Sequence, residues 1–517
     1  MNVSARFFLV LLFFFNAGAV KWTLSAQEDA EETEPVFYIR DITFNITGQT
    51  RPFVLMNHGE FQKGERITGR TNLEAYLRRK TQLLYNQRVL SQVRIEHTEG
   101  TADSGGEIPV DLLVSTVDTW NIIALPRPQW DDNDGFDLTI KARDYNFLGT
   151  MSPLRIDLGY NLKPEYRDNG FDGSKGSWNF EIDSDIPFRA LGYNWIVNFD
   201  HFFSYIYDEP VSYKNITGIS VEIPTALPFS PAAVITAGFD ESFNVHEKNA
   251  DRYKEEYGAY HKEEWYMSSE VYGQWKMPTG FMAGNFGEFI YTPKLSGKIN
   301  YQPGGDVGDL RRNPTLGFSH TLGFGQIDWV SNYRSGLDVS IGNSNTLIFD
   351  STPYWRNTLT FSATGHRPIF SFLGFSGMLQ YRQWFNTYSD TAGDAIRGIV
   401  NKNLAAEYML SLNLDFPFRI LDFRPSIWFN QPKLRLFDLE FQLSPILDLA
   451  LIRDPIRNIR FSPAEIQVGG GLELIIFSHF MRSLYLRVSV GYDLKKLFST
   501  GDFGNNREVF IGLYHHY

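Results

Sequence analysis

The groups in this chain with chemistry to offer are few and charged. Asp394-Ala-Ile-Arg397-Gly398-Ile carries one arginine beside a glycine. Just behind it, Glu407, Met409, Ser411, Asn413 and Asp415 alternate with Tyr408, Leu410, Leu412, Leu414 and Phe416, the period of a strand wet on one face and apolar on the other. Farther on, Phe441, Leu443, Leu447, Leu449 and Leu451 share one parity and leave Gln442, Ser444, Asp448 and Ala450 on the other, so Asp448 points to the wet side. Such groups can pair ions; they are not equipped to break bonds. No phosphate-binding glycine loop, zinc-protease helix, nucleophile elbow or cysteine cluster occurs, and no catalytic residue, cofactor or metal is expected. Asp131-Asp-Asn-Asp-Gly135 has some look of a calcium loop but lacks its spacing and distal glutamate, and reads as an Asp-Gly hairpin turn.

The elements that position these residues are strands. Among 517 residues, 15% are aromatic and 43% hydrophobic, and the mean hydropathy is -0.26. After the N-terminus no apolar run is long enough for a spanning helix. A membrane β-barrel hides its apolar residues at every second position, where averaging misses them. The net charge of -12 disfavours nucleic acid, which needs a basic footprint.

From Trp120 onward, strand follows strand. Phe136, Leu138, Ile140 and Ala142 oppose Asp137, Thr139, Lys141 and Arg143; Leu154, Ile156, Leu158 and Tyr160 oppose Arg155, Asp157, Gly159 and Asn161. An arginine on the lipid face would cost about 2 to 4 kcal/mol at mid-membrane, so these arginines must face the lumen. Leu484, Leu486, Val488 and Val490 oppose Tyr485, Arg487, Ser489 and Gly491 in the same way. Between about 16 and 18 such segments can be read from the alternation, joined by short turns on one side and longer polar loops on the other, the stretch Glu247 to Glu264 being densely charged.

Ahead of the strands, Arg6 and the run Phe7 to Phe15, with a small-residue site at Leu24-Ser25-Ala26, read as a signal peptide over residues 1–26. An acidic linker occupies 27–36. Residues 37–118 read as a small α/β domain: a strand with Ile42, Phe44 and Ile46 on one face, and a helix over Asn72 to Asn86 behind the capping box Thr71-Asn-Leu-Glu74. Two more strands follow at Val93 to Glu96 and Pro109 to Val117. The remainder, 119–517, is the barrel.

Its two ends carry a further signal. Pro126 and Pro128 sit two apart in the first barrel strand, so both missing N–H donors face the same neighbour. The closing partner is the last strand, Arg507 to Tyr517, with Val509, Ile511, Leu513 and Tyr517 in one row and Gly512 thinning its pairing. A seam between these strands is expected to be weakly zipped.

Taken together, the Ile-Arg-Gly loop ahead of an amphipathic strand resembles the inward-folded loop of the bacterial outer-membrane protein assembly factors, the BamA and TamA superfamily. The turn Asp144-Tyr-Asn146-Phe-Leu148-Gly149-Thr150 resembles that superfamily's turn after the second barrel strand, and 37–118 resembles a single POTRA domain. The resemblance implies an all-β transmembrane barrel of about 16 antiparallel strands preceded by one periplasmic POTRA-like domain. It implies that Arg397 is received inside the barrel by Asp448 of Pro445-Ile-Leu-Asp448, where Ile446 replaces the usual aromatic. A guanidinium and a carboxylate can then meet through two parallel hydrogen bonds, which lysine cannot reproduce. It also implies a lateral gate at the seam of Pro126, Pro128, Gly512 and Tyr517. The partners implied are unfolded outer-membrane clients and outer-membrane lipid, with periplasmic chaperones or accessory lipoproteins besides. A polypeptide secretion pore of the same superfamily is the near alternative, although such pores usually carry two POTRA modules; a passive porin is the alternative from another class.

Overall fold

A computed structural model of the chain describes residues 34–103, 105–131, 135–162, 176–206, 211–225, 227–245, 265–304, 313–349, 353–389, 392–399, 404–482, 485–501 and 507–512. The expected signal peptide, most of the linker, the charged loop around 247–264 and Tyr517 lie outside these.

The N-terminal domain runs β1 (Val36–Thr47), α1 (Pro52–His58), β2 (Arg66–Thr68), α2 (Arg70–Asn86), β3 (Leu90–Glu99) and β4 (Ile108–Asp118). The sheet order is β2-β1-β4-β3, with β1 parallel to β4 and the other pairs antiparallel. Phe37, Ile39 and Ile42 are all buried despite their uneven spacing, because the register slips between Ile39 and Asp41 and turns the next residues over. Leu73 and Leu84 of α2 complete the core, with Tyr76 and Leu77 packed against it. The capping box does not form. Gly69, at φ 87°, caps a helix that begins at Arg70, and no side chain bonds its first turn. The short β2 strand left no readable pattern in three residues.

From Ile122 the chain forms a closed barrel. Its strands are antiparallel neighbours in sequence order. Tyr408–Asp415 and Phe418–Phe423 both pair with the strand before and the strand after, so they are two halves of one wall strand. Among the described residues, nineteen strand segments therefore make eighteen wall positions, the upper end of the range read from the alternation and two beyond the sixteen of the resemblance. Pro417 lies at the break between the halves, where a missing donor is tolerated. Leu138, Ile140, Leu158, Ile219, Leu316 and Ile341 stand exposed along the outside, while Arg143 and Arg487 are buried inside. Rows of exposed aliphatics over most of a barrel's height are the surface a hydrocarbon layer requires. The barrel is a transmembrane one.

The N-terminal domain sits across one end of the barrel, called here the near end, tied to turns after wall strands two, ten and sixteen. At the first, Asn146 is buried and its Nδ2 donates to Thr50 Oγ1 at 2.8 Å and to Asp118 Oδ2 at 3.1 Å. Asp118 also accepts from the Gln49 and Thr50 amides at 2.7 and 3.0 Å. Gly149, at φ 73°, passes so close to the Gln49 carbonyl that a Cβ would lie 1.9 Å from that oxygen. The turn that resembles a family motif is thus the joint between the two domains. At the second, Asn86 Nδ2 donates to Asp328 Oδ1 at 2.9 Å, and the Trp329 amide donates to Asn86 Oδ1 at 3.0 Å.

Arg88, buried at 5% exposure, joins the second and third ties. Its guanidinium lies 4.1 Å from the Trp329 ring centroid, and its Nε donates to the Arg482 carbonyl. Arg482 answers by covering the Tyr85 ring at 3.9 Å and donating to the Leu90 carbonyl at 2.9 Å. Burial pulls the Arg88 pKa down to about 10, which leaves it charged at neutral pH.

Asn146→Ala removes side-chain hydrogen bonds to Thr50, Asp118 and the Met151 amide, a loss of about 1–3 kcal/mol, and is expected to loosen the N-terminal domain while the barrel stays folded. Limited proteolysis between Asp118 and Ile122 should speed up with the barrel core unchanged on a heat-modifiability gel; an unaltered cleavage rate would show that the joint does not hold the domain.

Candidate functional site

The connection between the strands Leu373–Phe385 and Tyr408–Asp415 leaves the far end of the barrel and folds back into the lumen. It is closed by paired backbone bonds between Ser389 and Ala406, both 2.8 Å, and makes one 3-10 turn at Ala392–Ala395. Its apolar residues Ala392, Ile396, Ile399 and Leu404 are buried against Met409, Ala450 and Ile452 of the wall. Those three wall residues sit on the wet parity of their strands. A luminal face that turns apolar for a few residues marks where something packs on it; that was the readable sign of an inward loop.

Arg397 forms the centre. Its Nε and Nη2 donate to Asp448 Oδ2 and Oδ1 at 2.8 and 2.6 Å, a two-pronged contact, and its backbone amide donates to Asp448 Oδ2 at 2.8 Å. The remaining edge of the guanidinium, Nη1, donates to Asp415 Oδ1 at 2.6 Å. Arg397 is 8% exposed, Asp415 7% and Asp448 1%. Sequence reasoning placed Asp415 on the wet face but gave it no role; it is the second acceptor. Asn413, opposite Asp448 in the register and two residues before Asp415 on the same face, donates to the Ala395 carbonyl at 2.8 Å.

Glycines make the floor. Gly398 takes φ 95°, and a Cβ there would lie 2.4 Å from the Tyr492 nitrogen. A Cβ at Gly469 would meet the Arg397 carbonyl oxygen at 2.2 Å, and one at Gly491 the Gly398 nitrogen at 2.7 Å. Glycine inside a strand marks close approach of another backbone, so Gly469 and Gly491 held an unread signal for the seat of the loop.

The loop is also bonded to the barrel's closing strand. The Gly398 amide donates to Glu508 Oε2 at 2.8 Å, and Glu508 belongs to the last strand, Arg507–Gly512. That strand closes on the first, Ile122–Asp131, where Arg127 Nε donates to the Ile511 carbonyl at 3.1 Å. The first strand pairs with the second in unbroken register over ten residue pairs, Pro126 opposite Ile140 and Pro128 opposite Leu138. Proline at a hydrogen-bonded position would interrupt that register, so both missing donors face the closing strand. Proline alone does not mark the seam: Pro187, Pro293, Pro368 and Pro445 lie within other wall strands. What sets this place apart is two on one side, facing a partner whose described part is six residues.

Among the described residues, one three-donor set could face a cation: Asp422, Glu440 and His479 bring ligand atoms within 4.8 Å of one another. Chain cations already balance it, since Arg424 Nε donates to Asp422 at 2.9 Å and Arg419 stands 3.9 Å from Glu440.

No protein-family model matches the chain, and no curated protein sequence matches it. Among solved structures it is similar to CdiB from Acinetobacter baumannii, at 12% identity and TM-score 0.42 over 88% of this chain and 70% of that one. It is also similar to BamA from Haemophilus ducreyi lacking POTRA domains 1-3, at 13% identity and TM-score 0.34 over 92% of this chain and 83% of that one. CdiB from Escherichia coli gives 10% identity and TM-score 0.36 over 91% and 89%. These are loose likenesses, and the weight rests on this chain's own residues.

Removing Arg397 leaves two carboxylates facing each other in a buried place, which costs about 3–5 kcal/mol. Thermal unfolding in detergent should fall in the order wild type, Arg397→Lys, Arg397→Ala. Arg397→Ala combined with Asp448→Ala should lose less than the sum of the two single changes. Strict additivity would mean that the pair does not act as one unit.

Proposed function

We propose that the protein is an outer-membrane assembly factor of the BamA and TamA type, which helps client β-strands enter the membrane at the seam between its first and last wall strands. The observation that carries this reading is the double hold of the inward loop: Arg397 on Asp448 and Asp415, and Gly398 on Glu508 of the closing strand. A plain pore has no use for such a hold.

On this reading the near end faces the periplasm and the N-terminal domain is a POTRA-like module. No bond is broken and no nucleotide, cofactor or metal is used. An incoming strand pairs with the edge that two prolines leave poorly bonded, gaining about 0.5–1.5 kcal/mol per backbone hydrogen bond made. The loop sets how readily that edge is freed, because its glycine amide holds the closing strand by a charge-assisted bond. The partners are unfolded outer-membrane proteins and the surrounding lipid, with periplasmic chaperones or accessory lipoproteins as helpers. A secretion pore of the same superfamily would share these parts and differ in releasing its client beyond the membrane.

In vesicles, Arg397→Ala is expected to leave the barrel folded and to slow client insertion. Cysteines introduced at Leu125 and Gly512 and joined across the seam should block it, with activity returning on reduction. Undiminished insertion while crosslinked would remove the seam from the mechanism. A client recovered in the vesicle lumen instead of the membrane would favour secretion, and a large steady single-channel current would favour a porin. For Glu508→Ala the expected result is faster seam crosslinking with the Arg397 contacts retained; an unchanged rate would show that the Gly398 bond does not restrain the closing strand.

A further inference from the structure

The connection 424–438, between the wall strands ending at Phe423 and beginning at Leu439, differs from the other near-end connections. It folds into two short helical pieces, Pro425–Trp428 and Pro432–Phe437. Its polar groups are satisfied from within: the Ser426 amide donates to Asp438 Oδ1 at 3.0 Å, the Phe429 amide to the Pro425 carbonyl at 3.0 Å, and the Gln431 amide to the Ser426 carbonyl at 2.9 Å. What it turns outward is apolar. Ile427 is 64% exposed, Trp428 57%, Phe429 65%, Leu436 51% and Phe437 55%. A folded segment that pairs its own backbone and displays five large apolar side chains is built for a medium other than water.

The same segment is continuous with the lipid-facing wall. Ile420 and Leu421, just before it, are exposed on the outside of the barrel. Phe423 pairs with Leu439 on that outer face, and Trp428 packs edge-on against Phe423 with ring centroids 5.1 Å apart. The patch therefore spreads from the outer wall and not from the lumen. Lys433 and Arg435 are exposed among the apolar groups, and cations beside aromatics match the headgroup region of a bilayer.

We infer that residues 424–438 form an interfacial foot that lies in the lipid leaflet on the N-terminal domain's side, with Ile427, Trp428, Phe429, Leu436 and Phe437 among the acyl chains and Lys433 and Arg435 on lipid phosphates. The inference rests on the barrel spanning a membrane and is independent of any client. Its occupant is lipid and not a protein, because the patch extends a surface that lipid already covers.

The absence of native cysteine makes the test clean. Single cysteines at Phe429, Phe437, Ile341 and Arg94 carry a nitroxide in full-length protein reconstituted into phosphatidylethanolamine and phosphatidylglycerol bilayers. Collisions with oxygen, which concentrates in lipid, are compared with collisions with a water-soluble nickel complex. Labels at Phe429 and Phe437 should resemble the mid-wall label at Ile341 and differ from the one on the N-terminal domain at Arg94. Nickel-dominated collisions at both foot positions, with Ile341 still oxygen-dominated, would overturn the foot while leaving the barrel in the membrane. Protection from both reagents would overturn lipid as the occupant in favour of protein. Nickel access at Ile341 itself would overturn the membrane reading on which the inference rests. Replacing Lys433 and Arg435 by glutamine should move the two foot labels toward the nickel-accessible side in anionic bilayers and not in purely zwitterionic ones; an equal response in both would remove the phosphate contact.

Discussion

The interior of a membrane barrel is a poor place for one unpaired cation. Arg397 is nearly out of contact with water, and what makes its position tolerable is that every edge of the guanidinium has an acceptor and that two carboxylates share one charge. The cost of desolvating such ions is large, so the arrangement is stable only as a whole. Moving the loop out means rehydrating three ions together. Sliding it by a residue means breaking a two-pronged contact and driving a Cβ into the wall at Gly469 or Gly491. The loop is thus held with little freedom between seated and released, which is what a restraint on the closing strand requires.

The alternation of wet and apolar residues was legible because it follows from backbone geometry alone: a strand sends successive side chains to opposite faces whatever its neighbours. Asp448, Arg143 and Arg487 could be placed inside the barrel on that basis. Partners across the lumen could not be read this way, because they depend on where a loop comes to rest. Asp415 went unassigned for that reason, and so did the glycines under the loop, whose absent side chains carry no pattern until the approaching backbone is known. In the N-terminal domain, Thr71 and Glu74 have the spacing of a cap, yet Gly69 starts the helix earlier and the box is never used. Local preference worth about 1 kcal/mol gave way to the path the chain takes out of β2.

The turn around Asn146 has a purpose that its own residues do not reveal. Asp144, Asn146 and Gly149 read as an ordinary tight turn. Turn chemistry explains Gly149 and the Asn146 Oδ1 that accepts from the Met151 amide at 2.9 Å, but not where the buried Nδ2 of Asn146 donates. The answer lies in the N-terminal domain, where Thr50 in the loop after β1, 96 residues earlier, and Asp118 at the end of β4, 28 residues earlier, complete its hydrogen bonds. A contact between a turn and a separate domain leaves no periodic trace in either.

The three ties of the N-terminal domain fall after wall strands two, ten and sixteen of eighteen. The first two lie on nearly opposite sides of the ring, so the domain spans the opening as a crossbar. A wide cylinder of thin wall ovalises easily under lateral pressure. A bar fastened across its mouth by Asn146 at one end and Asn86 and Arg88 at the other fixes one diameter, and flexing that remains is directed toward the part of the circumference left unbraced.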